Sequence, residues 1–225
     1  MRKRTSSLGW PRRDPRHYRF PIPNAVWKYK LRPVEFVIFS YLCYHYSCNQ
    51  RNTHTPETIA TGIRMATGTV KKQLAGLVGR GLVSVDGTPT LKCETGRFFT
   101  LPNEVFLLNL LPSAFLVYAY LLLIEDRQTH TCHPSYNTIA TATGLSKNTV
   151  LKSIGVLLEK GLITVEATSY FDQRGMKWNG NNLYTILPVR VAVDAFHQRQ
   201  LCQLELNAEY HCHHPRAAPC ALISV

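Results

Sequence analysis

Acidic residues are scarce in this chain, and the ones present do not cluster. The 225 residues include 14 Asp and Glu against 26 Lys and Arg, which gives a net charge of +12. The acids are dispersed, and only Glu125 and Asp126 are adjacent. Phosphate-binding P-loops, nucleophile elbows and metal-hydrolase motifs are also missing. The sequence therefore predicts a protein that is not an enzyme and that uses no cofactor or metal.

Cysteine pairs and a secretion signal are absent as well. The seven cysteines are an odd number and include no C-x-x-C pair. The Cys and His residues near the C-terminus, between Cys202 and Cys220, match no zinc-ligand spacing. The first twenty residues are basic and contain Pro11 and Pro15, unlike a signal peptide. We therefore expect reduced thiols in a cytoplasmic protein.

The sequence contains a tandem repeat. Matches at an offset of 79 include Pro23, Pro33, Phe36 and Tyr41 with Pro102, Pro112, Phe115 and Tyr120. After one gap, matches at an offset of 80 include Ile59, Val70, Lys72 and Leu77 with Ile139, Val150, Lys152 and Leu157. So many matches predict two copies of one domain. The expected organisation is a flexible basic arm (1–19), two domains (20–97 and 98–188), and a C-terminal helix and tail (189–225).

The repeat also explains a long stretch without charge. Residues 105–124 contain about twenty consecutive uncharged residues, the length of a membrane span. Their counterpart in the first copy contains Lys28, Lys30, Arg32 and Glu35. Because both copies should share one fold, we expect a buried helix of a soluble core here and no membrane contact.

Residues 134–165 contain a helix-turn-helix pattern. Ala140 is a small residue that lets two helices approach, Gly144 suits a turn with positive φ, and Val150 packs between the helices. Ser146 is a natural N-cap of the second helix. The apolar residues of this second helix share one face. The other face is polar and basic and comprises Lys147, Asn148, Lys152 and Ser153. Such a helix suits the major groove of DNA.

Each copy should begin with a short extended segment and a long helix starting at Pro33 or Pro112. The helix-turn-helix follows, and then a hairpin, over residues 83–100 in the first copy and 165–187 in the second. Arg174 and Lys177 lie near the tip of the second hairpin, and Lys92 and Arg97 lie in the first. The predicted fold is mainly α with small β-wings (α+β), with tandem winged helix-turn-helix domains.

Two further segments are open to more than one interpretation. The N-terminal arm is either a solvated tail or a segment that contacts DNA phosphates or the minor groove through Arg2, Arg4, Arg12 and Arg13. In the C-terminal helix, an apolar seam could pack against the domain or against a second chain, and it comprises Phe196, Leu201, Leu204 and Ala208.

The run HPSYNTIATATGLSKNTVLKSIGVLLEKGLI, with NNLYTILP closing the wing, resembles the winged-helix modules of bacterial DNA-binding proteins. Replication initiators of plasmids, phages and conjugative elements commonly carry such modules. The resemblance is strong over residues 98–188 and weak in the first copy. It implies a bacterial cytoplasmic protein that binds double-stranded DNA. By position it assigns groove contacts to Lys147, Asn148, Thr149 and Lys152, and phosphate contacts to Ser135, Tyr136 and Asn137.

The first copy departs from this pattern at Arg64, which stands where the second copy has Gly144. A non-glycine residue rarely adopts positive φ, so either Gly62 re-routes the turn or the geometry differs. The residues suitable for a groove are Thr67, Thr69, Lys71, Lys72 and Gln73. This copy is expected either to bind DNA or to serve in dimerisation.

The leading hypothesis is sequence-specific binding of double-stranded DNA by both modules. Their second helices could occupy half-sites about one helical turn, ~34 Å, apart. The protein would then be a replication initiator or a transcriptional regulator of a mobile element. Its further partners would be a second molecule of the same protein or replication proteins. The alternative is a winged-helix module for protein–protein assembly, with incidental DNA contact, because the globular part is only mildly basic.

Overall fold

The structure is a computed structural model that describes residues 18–48, 54–91, 97–171 and 174–213. For residues 170, 171, 177–179 and 207–213 it describes the backbone alone. The first copy comprises β1 (Arg19–Pro23), a 3-10 helix (Asn24–Tyr29), α1 (Pro33–Ser47), α2 (Pro56–Ile63) and α3 (Thr67–Gly79). Because Arg19 is already in β1, the described fold begins inside the predicted arm.

The second copy repeats this order and adds a sheet. It comprises β2 (Phe98–Pro102), a 3-10 helix (Asn103–Leu108), α4 (Pro112–Ile124), β3 (Thr131–Cys132), α5 (Tyr136–Thr143) and α6 (Lys147–Glu159). The wing follows as β4 (Ile163–Glu166), β5 (Ser169–Phe171), β6 (Lys177–Asn179) and β7 (Leu183–Ile186). The last element is α7 (Val189–His213). The predicted class, mainly helical with small antiparallel sheets and two helix-turn-helix units, is confirmed.

The two copies are joined by one hydrophobic core. Strands β1 and β2 pair antiparallel, and α1 packs against α4. Burial of large apolar side chains is the main favourable contribution to such a fold. Phe36, Phe39 and Leu42 of α1 and Phe115, Tyr118 and Leu122 of α4 are buried in this core. The domain boundaries at residues 97 and 188 stay a prediction.

The uncharged stretch at 105–124 forms parts of two buried elements. Its first half completes the 3-10 helix Asn103–Leu108, and its second half is α4, which Pro112 begins at the first helical turn. Eight of the nine positions of α4 from residue 114 to residue 122 are buried, and Tyr120 is the exception. Within the described part of the chain, every helix is too short or too polar to cross a membrane.

The turn of the first helix-turn-helix is left-handed although its residue is Arg64. Arg64 has φ 53°, and Gly144 in the second copy has φ 69°. Both expectations for this turn were therefore wrong, because the geometry is retained and Gly62 does not re-route the chain. Gly62 lies inside α2, where a Cβ atom would overlap the ring of Tyr41. Close packing of α2 on α1 explains that glycine.

The wing of the second copy agrees with the predicted hairpin. Strand β7 pairs with β4, with Ile163 opposite Ile186, and also with β3, which gives the strand order β3-β7-β4. Beyond them, β5 pairs with β6 and extends the hairpin. Gly175 has φ 75° in the connection between β5 and β6.

The predicted hairpin of the first copy, residues 83–100, was wrong. Val83 makes a single bridge to Pro89 across a tight turn, and Phe98–Pro102 pairs with β1. Hydrogen bonds from Ser84 and Thr88 lower the pKa of the Asp86 carboxyl inside that turn. The described turn is therefore short and carries an acidic residue at its tip. Lys92 lies outside the described residues.

Candidate nucleic-acid interface

Helix α6 is fixed in place by caps at its start and by burial of one face. Ser146 adopts an extended conformation, and its Oγ accepts a hydrogen bond from the backbone N–H of Thr149 at 3.2 Å. Gly161 follows the helix end with φ 69°, and its counterpart in the first copy, Gly81, has φ 67°. Val150, Ile154 and Leu157 are buried on the side that contacts α4. Leu158, expected on the same face, is 43% exposed.

The opposite side of α6 forms the surface that we call the reading face. It comprises the exposed residues Lys147, Asn148, Leu151, Lys152 and Gly155. The structure thus brings together three of the residues predicted from the sequence. Two ammonium groups flank an amide here, which combines attraction to phosphate with a group able to pair with a base edge.

Leu151 was missed by the sequence analysis. It is 42% exposed on the reading face, between Asn148 and Lys152. An apolar side chain in a major groove can contact the thymine methyl group. Its position in the sequence could have predicted this exposure, because Leu151 lies outside the buried stripe that includes Val150 and Ile154.

Two predicted groove residues of α6 are placed differently from the others. Ser153 is 2% exposed, so its assignment to the polar face was wrong. It precedes Ile154 and lies three residues after Val150, which puts it inside the face covered by α4. Thr149 is half-buried, and its Oγ1 lies 2.8 Å from Ser146 Oγ, so its hydroxyl belongs to the helix cap.

The start of α5 lies against the wing. Ser135 caps α5, because its Oγ accepts a hydrogen bond from the N–H of Thr138 at 3.0 Å. The Tyr136 hydroxyl accepts a hydrogen bond from Asn182 Nδ2 at 2.8 Å, next to β7. Asn137 is exposed beside them. These contacts hold the beginning of α5 and the base of the wing together.

The tip of the wing is described in part. Arg174 is exposed in the connection from β5 to β6, as expected for a phosphate contact. Lys177 is the first residue of β6, where the backbone alone is described. The phosphate contacts of Arg174 and Lys177 stay predictions. The four arginines predicted to contact DNA from the arm lie outside the described residues: Arg2, Arg4, Arg12 and Arg13.

Helix α3 presents a comparable but weaker face. Gly68, Thr69, Lys71 and Lys72 are exposed, whereas Thr67 and Gln73 are half-buried. The N-cap position of α3 is Ala66, whose side chain makes no capping hydrogen bond. The first turn of α3 therefore has less support than the first turn of α6.

Lys71 already has an acidic neighbour. Its Nζ lies 2.9 Å from Glu57 Oε1, and this hydrogen bond is the main reason that the pKa of Glu57 is lowered. Glu57 corresponds to Asn137 of the second copy, where an amide replaces the acid. The first copy consequently offers less positive charge to DNA than its count of lysines indicates.

Metal ligands and disulfides do not group in the part of the chain that the structure describes. Among these residues, no three His, Cys, Asp or Glu side chains group to hold a metal ion. Cys43, Cys48, Cys132 and Cys202 form no disulfide there. The C-terminal residues His211, Cys212 and Cys220 lie where no side chain is described, so the absence of a metal site there stays a prediction.

Comparisons with known proteins agree with a helix-turn-helix assignment. Residues 108–163 match a family described as "Helix-turn-helix domain". No curated protein sequence matches the chain. A solved structure, titled a possible transcriptional regulator from Methanosarcina mazei Go1, is similar over 46% of this chain and 80% of its own, with 19% identity and a TM-score of 0.32. The chain is thus similar to helix-turn-helix proteins in its second copy, and this domain implies DNA as a partner.

Proposed function

We propose that this protein binds double-stranded DNA sequence-specifically through both helix-turn-helix units. The observation that carries the proposal is the reading face of α6. Lys147, Asn148 and Lys152 share the exposed side of the second helix of a capped helix-turn-helix, and α4 covers the other side. The family match over residues 108–163 includes this helix.

The proposed mechanism has an electrostatic step and a reading step. Lysine ammonium groups displace counterions condensed on the phosphates and so bring the protein to any duplex. Asn148 then pairs with an adenine edge, and Leu151 contacts a neighbouring thymine methyl group. Ser135 and Asn137 at the start of α5, with Arg174 in the wing, fix the register by contacting phosphates.

The biological role follows from where the target site lies. Both a transcriptional regulator and a replication initiator of a mobile element require the same contacts with DNA, and either would work in a bacterial cytoplasm without performing chemistry. Sites clustered at an origin would identify an initiator, and a site overlapping a promoter would identify a regulator.

A second candidate function, protein–protein assembly, is favoured by α7. Phe196 is half-buried beneath Lys160, whose Nζ lies 4.8 Å from the ring centroid, but Leu201, Leu204 and Leu206 are more than half exposed. Among the seam residues whose side chains the structure describes, Phe196 packs on the protein's own core, whereas Leu201 and Leu204 face solvent. An assembly module would show a binding constant for DNA that hardly depends on salt.

The test is the salt dependence of DNA binding for matched lysine variants. Lys147→Ala and Lys152→Ala should each reduce the slope of log K against log salt by about 0.9, the value for one phosphate contact. Lys160→Ala is the control, because Lys160 is the C-cap residue of the same helix but contacts Phe196. A slope near zero for the unmodified protein would reject DNA binding and select the assembly function.

A second measurement isolates base reading. Asn148→Ala should change the preference among sequences more than the average affinity, because an amide contributes no charge to counterion release. An equal loss on every sequence would show that Asn148 does not read a base.

A further inference from the structure

The strand pair that joins the two copies is symmetric. A residue of the first copy corresponds to the residue 79 positions later in the second, up to the gap. In the β1–β2 register, Pro21 lies opposite Thr100, which is its own equivalent. Arg19 lies opposite Pro102, and Pro23 lies opposite Phe98. Since Arg19 is equivalent to Phe98 and Pro23 to Pro102, exchanging the two copies turns one of these pairs into the other. This pattern is the one that a two-fold axis through the centre of the pair produces.

The aromatic contacts between the copies obey the same operation. Four of these contacts form two mated pairs, each obtained by exchanging equivalent residues, with similar distances between ring centroids. The contact Tyr44–Phe106 has no aromatic mate, because Leu123 is the equivalent of Tyr44. The mates are Phe20–Phe106 (5.8 Å) with Trp27–Phe99 (6.1 Å), and Trp27–Tyr120 (5.6 Å) with Tyr41–Phe106 (5.3 Å). Two of these residues differ in type between the copies, since Trp27 corresponds to Phe106, yet the geometry is kept.

One contact lies on the axis itself. Phe36 and Phe115 are equivalent residues, and their ring centroids are 6.1 Å apart. They belong to α1 and α4, which are equivalent helices packed against each other. A self-paired strand register and a self-paired aromatic contact therefore define one intramolecular pseudo-two-fold axis.

We propose that the chain reads an inverted repeat with two unequal arms. This inference rests on the proposed function and specifies its target. Helices α3 and α6 are exchanged by the axis, and a protein two-fold that is matched to DNA coincides with a dyad of the duplex. Two modules related in this way meet their half-sites in opposite orientations. A single chain thus does what a symmetric dimer does in other helix-turn-helix proteins.

The arms differ where the two helices differ. Lys72 and Lys152 are equivalent and both exposed, so this position approaches both arms alike. Asn148 has no amide counterpart, because Gly68 occupies its position in α3. The arm bound by α6 therefore has a base preference that the arm bound by α3 lacks.

The experiment selects bound fragments from random duplex DNA, first with the unmodified chain and then with Gly68→Asn. A Cβ atom at Gly68 meets nothing within 4 Å, so the new side chain fits without rearrangement. The unmodified chain should enrich two arms in inverted orientation, with a stronger preference in one. Gly68→Asn should make the weaker arm resemble the inverted stronger arm, with at least about a fivefold preference for the base that Asn148 selects.

Gly79→Asn is the matched control, because it introduces the same amide at the other end of α3, also without a neighbour within 4 Å. It should leave the selected sequences unchanged. The inverted-repeat inference would be overturned if the selected DNA contained two arms in direct orientation. It would also be overturned if the DNA contained one arm alone and Gly68→Asn did not change the selected sequences. Both results would leave DNA binding intact. Enrichment of no sequence, with no salt-dependent affinity for any duplex, would overturn the proposed function and the inference with it.

Discussion

Two Ser→Ala substitutions, one at the N-cap of α6 and one inside the helix, should affect stability differently, because the first removes a hydrogen bond and the second removes an unpaired hydroxyl. Ser146 Oγ accepts a hydrogen bond from Thr149 N–H at 3.2 Å and lies 2.8 Å from Thr149 Oγ1. Replacement of an N-cap serine by alanine costs about 1 kcal/mol. Ser153, seven residues later, is buried, and its Oγ has no hydrogen-bond partner within the part of the chain that the structure describes.

The size of the second effect follows from the cost of that unpaired hydroxyl. A buried polar group without a partner costs about 1–3 kcal/mol, so its removal should not destabilise the protein and should raise the free energy of unfolding. Ser146→Ala should therefore lower Tm by about 2–4 °C, the shift expected for about 1 kcal/mol in a chain of this size. Ser153→Ala should leave Tm unchanged or increase it.

Thermal and urea denaturation followed by circular dichroism measure both effects. Ser146→Gly tests whether the loss of the cap causes the destabilisation by Ser146→Ala. In the glycine variant water can reach the freed N–H, so the loss in free energy of unfolding should fall to a few tenths of a kcal/mol. The reverse change in the first copy, Ala66→Ser, should stabilise α3, since Ala66 has the extended conformation (φ −64°, ψ 132°) of a capping residue. Unaltered stability of Ser146→Ala, or a marked loss for Ser153→Ala, would refute this reasoning.

Three other predictions concern charge and chemical reactivity. Glu57→Gln should release Lys71 and steepen the salt slope of DNA binding by up to about 0.9, and the double variant with Lys71→Ala should lose this gain. Deletion of residues 1–17, which spares β1, should flatten the slope if the arm contacts phosphates, and an unchanged slope would make it a tail. Burial, and secondarily Glu125, raises the pKa of the Cys132 thiol to about 12, so iodoacetamide at pH 8 should label the exposed Cys202 and spare Cys132 until the protein unfolds. Peptide mapping by mass spectrometry that found Cys132 labelled in the folded protein would contradict the last prediction.

Local signals made the helices predictable. Pro33 and Pro112 mark the starts of α1 and α4, and the spacing of Ala140, Gly144 and Val150 defines the second helix-turn-helix. These features act within a few residues, and the repeat allowed each copy to support the other. The reading face of α6 could be predicted for the same reason, because a helix with a buried stripe has only one side left for solvent.

The errors arose where distant partners decide the outcome. The sequence does not show that Phe98–Pro102 pairs with β1, so the first copy was given a hairpin over residues 83–100 in place of the tight turn at Val83–Pro89. Ser153 is polar, but the width of the face covered by α4 decides its burial. Arg64 adopts positive φ because the surrounding helices fix the turn, which overrides the residue's own preference.

The β1–β2 pair affects how the chain reaches its native state during synthesis. Phe20 and Ile22 of β1 are fully buried, yet the strand opposite them is made about eighty residues later. Until residues 98–102 leave the ribosome, the nascent first copy carries an apolar strand with an open edge, which is prone to association. The first half of the chain therefore needs the second half to close this edge, and loss of the second half would expose the first to aggregation and proteolysis.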